Sequence, residues 1–148
     1  MKRFSFRLES ILSLKKSLEL QKQNEIAQID EEISRINTGI LCVDREFAEK
    51  KEEVMTRLAN GETANVLSNF TQYFLALRDK RKDLEKQLEG ANRIREMLRK
   101  ELITIVTERK AIEQLKEKQF REYLYELKIE QQKEVDDLLS CKVAGDLA

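Results

Sequence analysis

The sequence contains no proline, no histidine and no tryptophan, and it has only four glycines and two cysteines. This shortage of proline and glycine argues against turn-rich β-sandwich and α/β folds, because turns depend on these residues. Without histidine the chain has no imidazole base and no histidine metal ligand, and two cysteines cannot form a four-thiolate zinc site. We therefore expect a protein that is not an enzyme, with no cofactor, no metal and no small-molecule substrate.

The cysteines and the apolar runs indicate the cellular compartment of the protein. Cys42 and Cys141 lie far apart, and a reduced cytosolic setting explains them more simply than a disulfide. The longest uncharged run, residues 63–77, is shorter than the roughly 20 apolar residues that a membrane-spanning helix needs. Charged residues interrupt the start of the chain before it could form a signal sequence. These features predict a cytoplasmic protein.

The charges are balanced overall but not locally. The chain has 28 basic and 28 acidic residues, and 38% of it is charged. The net charge is +4 over residues 1–18, −5 over 19–62, +4 over 63–110 and −3 over 111–148. Nucleic-acid binding requires a sustained basic face, which this alternation does not provide, so we expect no nucleic-acid partner.

An apolar heptad pattern runs through the first half of the chain. Apolar residues recur in alternating steps of three and four, and this period of 3.5 is typical of a coiled-coil seam. The pattern predicts a first helix over about residues 5–59. The seam consists of Ile26, Ile29, Ile33, Ile36, Ile40, Val43, Phe47 and, after one skipped position, Val54.

The second half repeats this rhythm and predicts a second helix over about residues 64–140, with a frayed tail at 141–148. Between the helices, residues 60–64 form the predicted turn. Gly61 can cap the end of the first helix in a left-handed conformation, and Thr63 or Asn65 can cap the start of the second. The second seam contains Phe70, Phe74, Leu77, Arg81, Leu84, Leu88, Ala91, Arg95, Leu98, Leu102, Ile105, Arg109 and Ile112.

A short turn forces the two helices to run antiparallel. Pairing positions whose numbers sum to 124 aligns the two seams, for example Phe47 with Leu77 and Ile36 with Leu88. The sequence therefore predicts an all-α fold, a long antiparallel two-helix coiled-coil hairpin that forms a single domain over residues 1–148. At ~1.5 Å per residue the first helix would measure about 80 Å and the second over about 110 Å, so the second helix overhangs.

The predicted overhang carries an apolar set with no other part of the chain left to cover it. Beyond about residue 119, the first helix has no residues left to pair with the second. The apolar set here has helical spacing and consists of Phe120, Tyr123, Leu124 and Leu127. An uncovered apolar face on a helix typically meets a partner. We expect partner binding here; a bend of the helix back on itself and self-association remain open.

Three arginines occupy seam positions 14 residues apart: Arg81, Arg95 and Arg109. A buried guanidinium is costly unless it pairs or reaches water. These arginines either specify the pairing register or receive a third helix or an acidic partner.

The neutral run 63–77 holds three aromatic residues, Phe70, Tyr73 and Phe74. A helix has one inward face, so burial of both phenylalanines would leave Tyr73 at the flank. The aromatic side chains either anchor a partner or pack near the turn against Val54 and Leu58.

Three stretches of the sequence resemble the flagellar export protein FliJ family. They are the opening FSFRLESILSLK at residues 4–15, the segment NFTQYFLAL at 69–77, and ERKAIEQLKEKQ at 108–119, which Phe120 follows. Length and turn position fit as well, so the resemblance covers essentially the whole chain.

The resemblance implies a small cytoplasmic component of the bacterial flagellar type III protein export apparatus, peripheral at the inner membrane. Its fold would be similar to the γ-subunit stalk of the rotary ATP synthase. Its expected partners are the hexameric export ATPase FliI, whose ring it would occupy and help to assemble, the cytoplasmic domain of the gate protein FlhA, and export chaperones. It would act in flagellum biogenesis, motility and chemotaxis, and would be a monomer when free.

By position, the resemblance also assigns two groups of partner-binding residues. The first group would bind the export gate: Val43, Phe47, Tyr73 and Leu77. The second group lies at the two ends of the chain, which the ATPase ring would hold: Arg3, Arg7, Lys15, Lys16, Phe120, Tyr123, Leu124 and Leu127.

Three alternative functions remain open from the sequence. The first is the equivalent stalk of a virulence type III secretion injectisome. The second is a structural coiled-coil rod that dimerises in parallel through its seam. The third is a membrane-surface protein that uses the basic, phenylalanine-containing start of the chain.

Overall fold

The structure, a computed structural model, describes residues 2–61 and 64–147. Two long helices contain almost all of them: α1 spans Glu9–Ala59 and α2 spans Ala64–Leu147. The helices pack against each other as a hairpin, and the described residues contain no strand. The predicted all-α two-helix hairpin is therefore confirmed.

The hairpin divides into two compact units along its helices. Unit 1 joins the residues up to Leu20 with those from Ile103 onward, and unit 2 comprises Gln21–Leu102. Each unit contains a part of α1 and a part of α2. The single domain over residues 1–148 stays a prediction.

The core of unit 2 is the predicted apolar seam. One cluster joins the buried side chains of Ile29, Ile33, Ile36, Ala91 and Leu98, with Ile26, Ile40, Leu84 and Leu88 packed against it. Val43, Val54 and Leu77 are also buried. Alternating three- and four-residue steps keep these positions on the facing sides of both helices, so the heptad pattern gives a continuous buried seam.

Ion pairs in unit 2 fall within one residue of the predicted register. Lys22 Nζ lies 2.6 Å from Glu101 Oε2, and Arg95 Nε lies 2.9 Å from Asp30 Oδ1. Near the turn, the Phe47 ring packs on Phe74, with ring centroids 4.9 Å apart, and Phe47 and Leu77 line the same groove.

Unit 1 follows the same register. Lys116 Nζ lies 2.7 Å from Glu9 Oε2, and Lys15 pairs with Glu108. Leu12 is almost completely buried, and burial of a leucine side chain contributes about 1.5–3 kcal/mol. These contacts fix the start of α1 on α2.

The first helix begins at Glu9, four residues later than predicted. Residues 2–6 have no regular structure and residues 7–8 form a turn; we call residues 2–8 the strap. The backbone N–H of Glu9 donates to the Phe6 carbonyl (3.2 Å), and Phe6 is buried. The buried Phe6 and this hydrogen bond join the strap to the first turn of α1.

The first helix ends at the predicted glycine. Gly61 has a φ of 85°, and its N–H donates to the Leu58 carbonyl (3.2 Å). Glycine suits this left-handed position because it has no Cβ. Of the two predicted N-caps for α2, Thr63 lies outside the described residues, and Asn65 lies inside α2, so the Asn65 prediction is wrong.

The second helix extends further than predicted. It continues to Leu147 instead of ending near residue 140, so residues 141–147 are helical rather than frayed. The segment contains one helix-weakening residue, Gly145, and a single glycine costs about 1 kcal/mol without ending a helix. Residues 128–146 are exposed throughout, and this part of α2 forms the overhang.

Candidate partner-binding surfaces

An apolar groove lies between the two helices in unit 2. Its volume is about 470 Å³. Its apolar lining comes from Val43, Phe47, Phe74, Leu75 and Leu77. The groove contains three of the four residues predicted to bind the export gate.

The floor and the rim of this groove differ in exposure. Val43 and Leu77 are only 3% and 5% exposed, so they form the floor and belong to the seam. Phe47 and Leu75 are 44% and 50% exposed and form the rim. A partner in the groove would therefore touch mainly Phe47 and Leu75, while the floor residues hold the two helices together.

One end of the groove is charged. Arg81 makes a bidentate contact with Asp44, with Nε 2.7 Å from Oδ1 and a terminal nitrogen 3.2 Å from Oδ2. This hydrogen-bonded pair lowers the pKa of Asp44 below its usual value and raises the pKa of Arg81. Arg78 also lines the groove, so the rim carries a guanidinium beside its apolar side chains.

The fourth predicted gate residue, Tyr73, does not line this groove. Its hydroxyl donates a hydrogen bond to Glu46, and Lys50 Nζ lies 5.5 Å from the centre of its ring. The hydrogen bond to the carboxylate raises the pKa of Tyr73 to about 12 because it stabilises the neutral phenol. Tyr73 instead lines a smaller depression with Lys50, Arg57, Asn69 and Phe70.

All three seam arginines pair with carboxylates of α1. Arg81 binds Asp44, Arg95 contacts Asp30, and Arg109 contacts Glu19 and Glu113. The contacts with Glu19 and Glu113 raise the pKa of Arg109. These contacts favour the register interpretation over a site for an acidic partner, because the guanidinium groups already have carboxylate partners within each unit.

An aromatic cluster in unit 1 joins the strap to α2. The Phe4 ring packs edge-on against Phe120, with centroids 5.0 Å apart, and lies 5.4 Å from Tyr123. The Tyr123 hydroxyl donates to the Lys2 carbonyl (2.9 Å). The prediction that nothing in the chain covers Phe120 and Tyr123 is therefore wrong, because residues 2–4 turn back onto α2 instead of continuing α1.

The other two residues of the predicted apolar set are more open. Leu124 is 45% exposed and Leu127 is half-buried. Beyond them the overhang exposes further large apolar side chains: Ile129, Val135, Leu138, Leu139 and Val143. Apolar side chains of α2 are thus exposed from Phe120, beside the strap, toward the end of the helix.

The four predicted cations at the start of the chain fall into two groups. Arg3 and Arg7 are exposed on the strap. Lys15 forms an ion pair with Glu108, and Lys16 Nζ lies 4.0 Å from Glu113 Oε1. Arg3 and Arg7 are therefore the cations of this group that are most available to a partner.

A comparison with models of known protein families identifies the family of the chain. The family model described as "Flagellar FliJ protein" matches residues 4–145. The chain belongs to the FliJ family. Comparison with curated proteins and with solved structures gave no significant match.

Membership of the FliJ family supports a role in flagellar protein export, as a structural or export component rather than an enzyme. Among the described residues of this FliJ protein, no group of cysteine and carboxylate side chains could hold a metal ion. Neither described helix has a stretch apolar and long enough to cross a membrane. Both cysteines are free and exposed.

The sequence pattern did not predict that Leu75 and Phe4 form parts of these surfaces. Leu75 lies outside the seam, and an apolar side chain at a non-seam position of the neutral run was the available signal. Phe4 lies just before the first helix predicted over about residues 5–59. Its contact with Phe120 is set by tertiary packing, which a local pattern does not encode.

Proposed function

We propose that this FliJ protein is a stalk and linker in the bacterial flagellar type III export apparatus. In this role it would occupy the ring of the export ATPase FliI, promote assembly of that ring, and couple it to the cytoplasmic domain of the export gate protein FlhA. The observation that carries the proposal is an exposed apolar groove, with Phe47 and Leu75 at its rim, on a chain of the FliJ family.

The groove supports gate binding on physical grounds. Its rim offers an aromatic and an aliphatic side chain, and its floor is rigid because Val43 and Leu77 are buried in the seam. Aromatic anchors beside a fixed pocket are typical of residues that dominate binding energy. Arg78 at the end of the groove would add orientation, because a guanidinium pairs well with a carboxylate on the partner.

The surfaces of unit 1 support ring binding. The exposed Arg3 and Arg7 supply positive charge, and Phe120, Tyr123, Leu124 and Leu127 supply an apolar face on α2. Charged side chains steer association, while apolar side chains provide most of the contact free energy. We assign this combined surface to the ATPase.

The proposal includes a cytoplasmic location, peripheral at the inner membrane through the export apparatus, and binding of export chaperones. It favours the flagellar apparatus over the virulence injectisome, because the matching family model describes a flagellar protein. The membrane-surface alternative is disfavoured because Phe6 is buried, and because the Phe4 ring packs on Phe120 in the free protein.

The gate interaction can be tested with substitutions at the rim of the groove. We expect Phe47→Ala and Leu75→Ala each to weaken binding to the purified gate domain by about 1–3 kcal/mol, as measured by calorimetry, because each removes an exposed anchor. Leu41→Ala is the matched control, since Leu41 is 64% exposed and does not line the groove. Equal affinity of all three variants and the wild type would remove the groove from the gate interaction.

The ring interaction needs its own variant. We expect Arg3→Glu together with Arg7→Glu to reduce ATPase binding and ring assembly, and to do so most at low ionic strength, because exposed charges are screened by salt. Gate binding should not change, since both residues lie in unit 1 and the groove in unit 2. Unchanged ring assembly would show that these cations do not take part.

A further inference from the structure

The strap covers part of the surface that we assign to the ATPase. Phe4 lies against Phe120 and Tyr123, and the Lys2 carbonyl accepts the hydrogen bond of the Tyr123 hydroxyl. Residues 120, 123, 124 and 127 are separated by steps of three, one and three, so they share one face of α2. The strap covers this face only in part, because Phe120 remains 43% exposed beside Phe4 and Leu124 is 45% exposed.

The distal part of the strap is held less firmly than its base. At the base, Phe6 is buried, and the α1 residues that follow are fixed by Leu12 and by the Glu9–Lys116 ion pair. Residues 2–5 are held by ring contacts and one hydrogen bond, and within the part of the chain that the structure describes no ion pair involves Lys2 or Arg3. Segments with few contacts open locally without global unfolding.

The charges of the strap differ from those of the α2 segment beyond it. Lys2, Arg3 and Arg7 bring three positive charges, whereas residues 129–146 contain two basic and five acidic residues. In the closed strap, the Lys2 carbonyl accepts a hydrogen bond from Tyr123 and the Phe4 ring packs on Phe120. The charged groups of the strap remain exposed. A partner with carboxylates and apolar side chains could therefore pair with these cations and also contact the apolar face of α2 once the strap opens.

We propose that the strap is a displaceable internal cover. In the free protein residues 2–5 close over Phe120 and Tyr123, and the ATPase displaces them to reach the full face from Phe120 to Leu127. The cover lowers the apparent affinity of the free protein for its partner, because only the open population can bind. This regulation rests on the proposed function, which assigns the face to the ATPase.

The first test exploits the absence of tryptophan from the chain. Phe4→Trp places a single tryptophan reporter on the strap, and Leu41→Trp places the matched control in unit 2, outside the groove. On saturation with purified export ATPase, we expect the emission of the Phe4→Trp protein to shift to longer wavelength and that of the control to stay constant. An unchanged or blue-shifted emission of the Phe4→Trp protein would show that the strap stays closed in the complex and would overturn the proposal.

The second test measures affinity. We expect Phe4→Ala to tighten ATPase binding at least about threefold, because it removes the ring that competes for the face. Leu41→Ala, which removes an exposed apolar side chain of unit 2 outside the groove, should leave this affinity unchanged. Equal or weaker binding of Phe4→Ala would make the strap part of the interface and contradict its role as a cover.

A measurement on the free protein distinguishes an incorrect cover proposal from an incorrect assignment of the face to the ATPase. If neither the wild type nor Phe4→Ala binds the ATPase, the ring assignment fails, and the cover is judged by urea titration of the Phe4→Trp protein. We expect its emission to shift at a lower urea concentration than the loss of helical circular dichroism. Coincident transitions would show that the strap does not open independently and would overturn the cover.

Discussion

At the scale of single residues, Tyr73 illustrates how a side chain predicted as a partner anchor is occupied within its own unit. Its hydroxyl donates to Glu46, and Lys50 lies over its ring. The residue still presents a half-buried ring, but its polar end is already satisfied. Any partner at this site would have to leave that hydrogen bond intact or replace it.

The Tyr73–Glu46 hydrogen bond can be tested by titration. The pKa of Tyr73 is raised to about 12, so the bond favours the neutral phenol and its stabilisation is present below the pKa of about 10 of an unfolded tyrosine. This stabilisation is lost as the pH rises through the folded pKa. We expect Glu46→Gln to move the pKa of Tyr73 toward 10, as measured by NMR of ring-labelled tyrosine. The resonances of Tyr123 and Tyr125 serve as internal controls, and an unmoved pKa would contradict the assignment.

The predicted gate residues show what a heptad pattern does and does not specify. The pattern placed Val43 and Leu77 at seam positions, and both are buried. The pattern could not show that Phe47 is exposed, because the contact between the Phe47 and Phe74 rings depends on packing near the turn. Seam periodicity predicts which side chains face the other helix, whereas exposure at the rim depends on how closely the helices approach.

At the scale of elements, the glycines of the hairpin have opposite roles. Gly61 has a positive φ that L-residues avoid, whereas Gly90 lies inside α2 and a Cβ there would meet no atom within 4 Å. We expect Gly61→Ala to destabilise the protein by about 1 kcal/mol and Gly90→Ala to stabilise it by about 0.5–1 kcal/mol. Urea unfolding followed by circular dichroism measures both changes. The opposite sign for either variant would show that its backbone conformation differs from the one described.

Much of the helical architecture was predictable because it depends on local pattern. The seam, the Gly61 turn and the antiparallel register follow from residue spacing, and ion pairs such as Lys22–Glu101 fall within one residue of that register. The strap was not predictable, because its conformation depends on contacts of Phe4 and Lys2 with residues of α2 that are distant in the sequence. The continuation of α2 past residue 140 was missed because solvent-exposed helix ends lack a seam signal.

At the scale of the whole molecule, the apolar seam and the ion pairs between the helices are formed by residues of a single chain. The core cluster of unit 2 contains side chains from both helices, and the seam arginines contact carboxylates of the same chain. A parallel homodimer through the seam would have to break these contacts. The structural-rod alternative therefore loses its main interface.

We expect the free protein to be a monomer, with a mass near 17.5 kDa by light scattering coupled to size-exclusion chromatography. The measurement should be made under reducing conditions, because Cys42 and Cys141 are exposed and could form intermolecular disulfides. A Cys42→Ser and Cys141→Ser variant controls for this. A doubled mass that persists in this variant would restore self-association as an explanation for the exposed apolar side chains of the overhang.

The sequence separation of the contacts has a consequence for the order of folding. In unit 2 the Tyr73–Glu46 hydrogen bond closes a loop of 27 residues, whereas in unit 1 the Tyr123–Lys2 hydrogen bond joins residues 121 apart. The entropic cost of closure rises with loop length, so pairing that starts beside Gly61 and proceeds outward pays this cost in small steps. Pulse-labelled hydrogen exchange should therefore show the helices of unit 2 protected before those of unit 1. During synthesis on a ribosome, Lys2 must therefore wait for 121 further residues before its hydrogen-bond partner has been made.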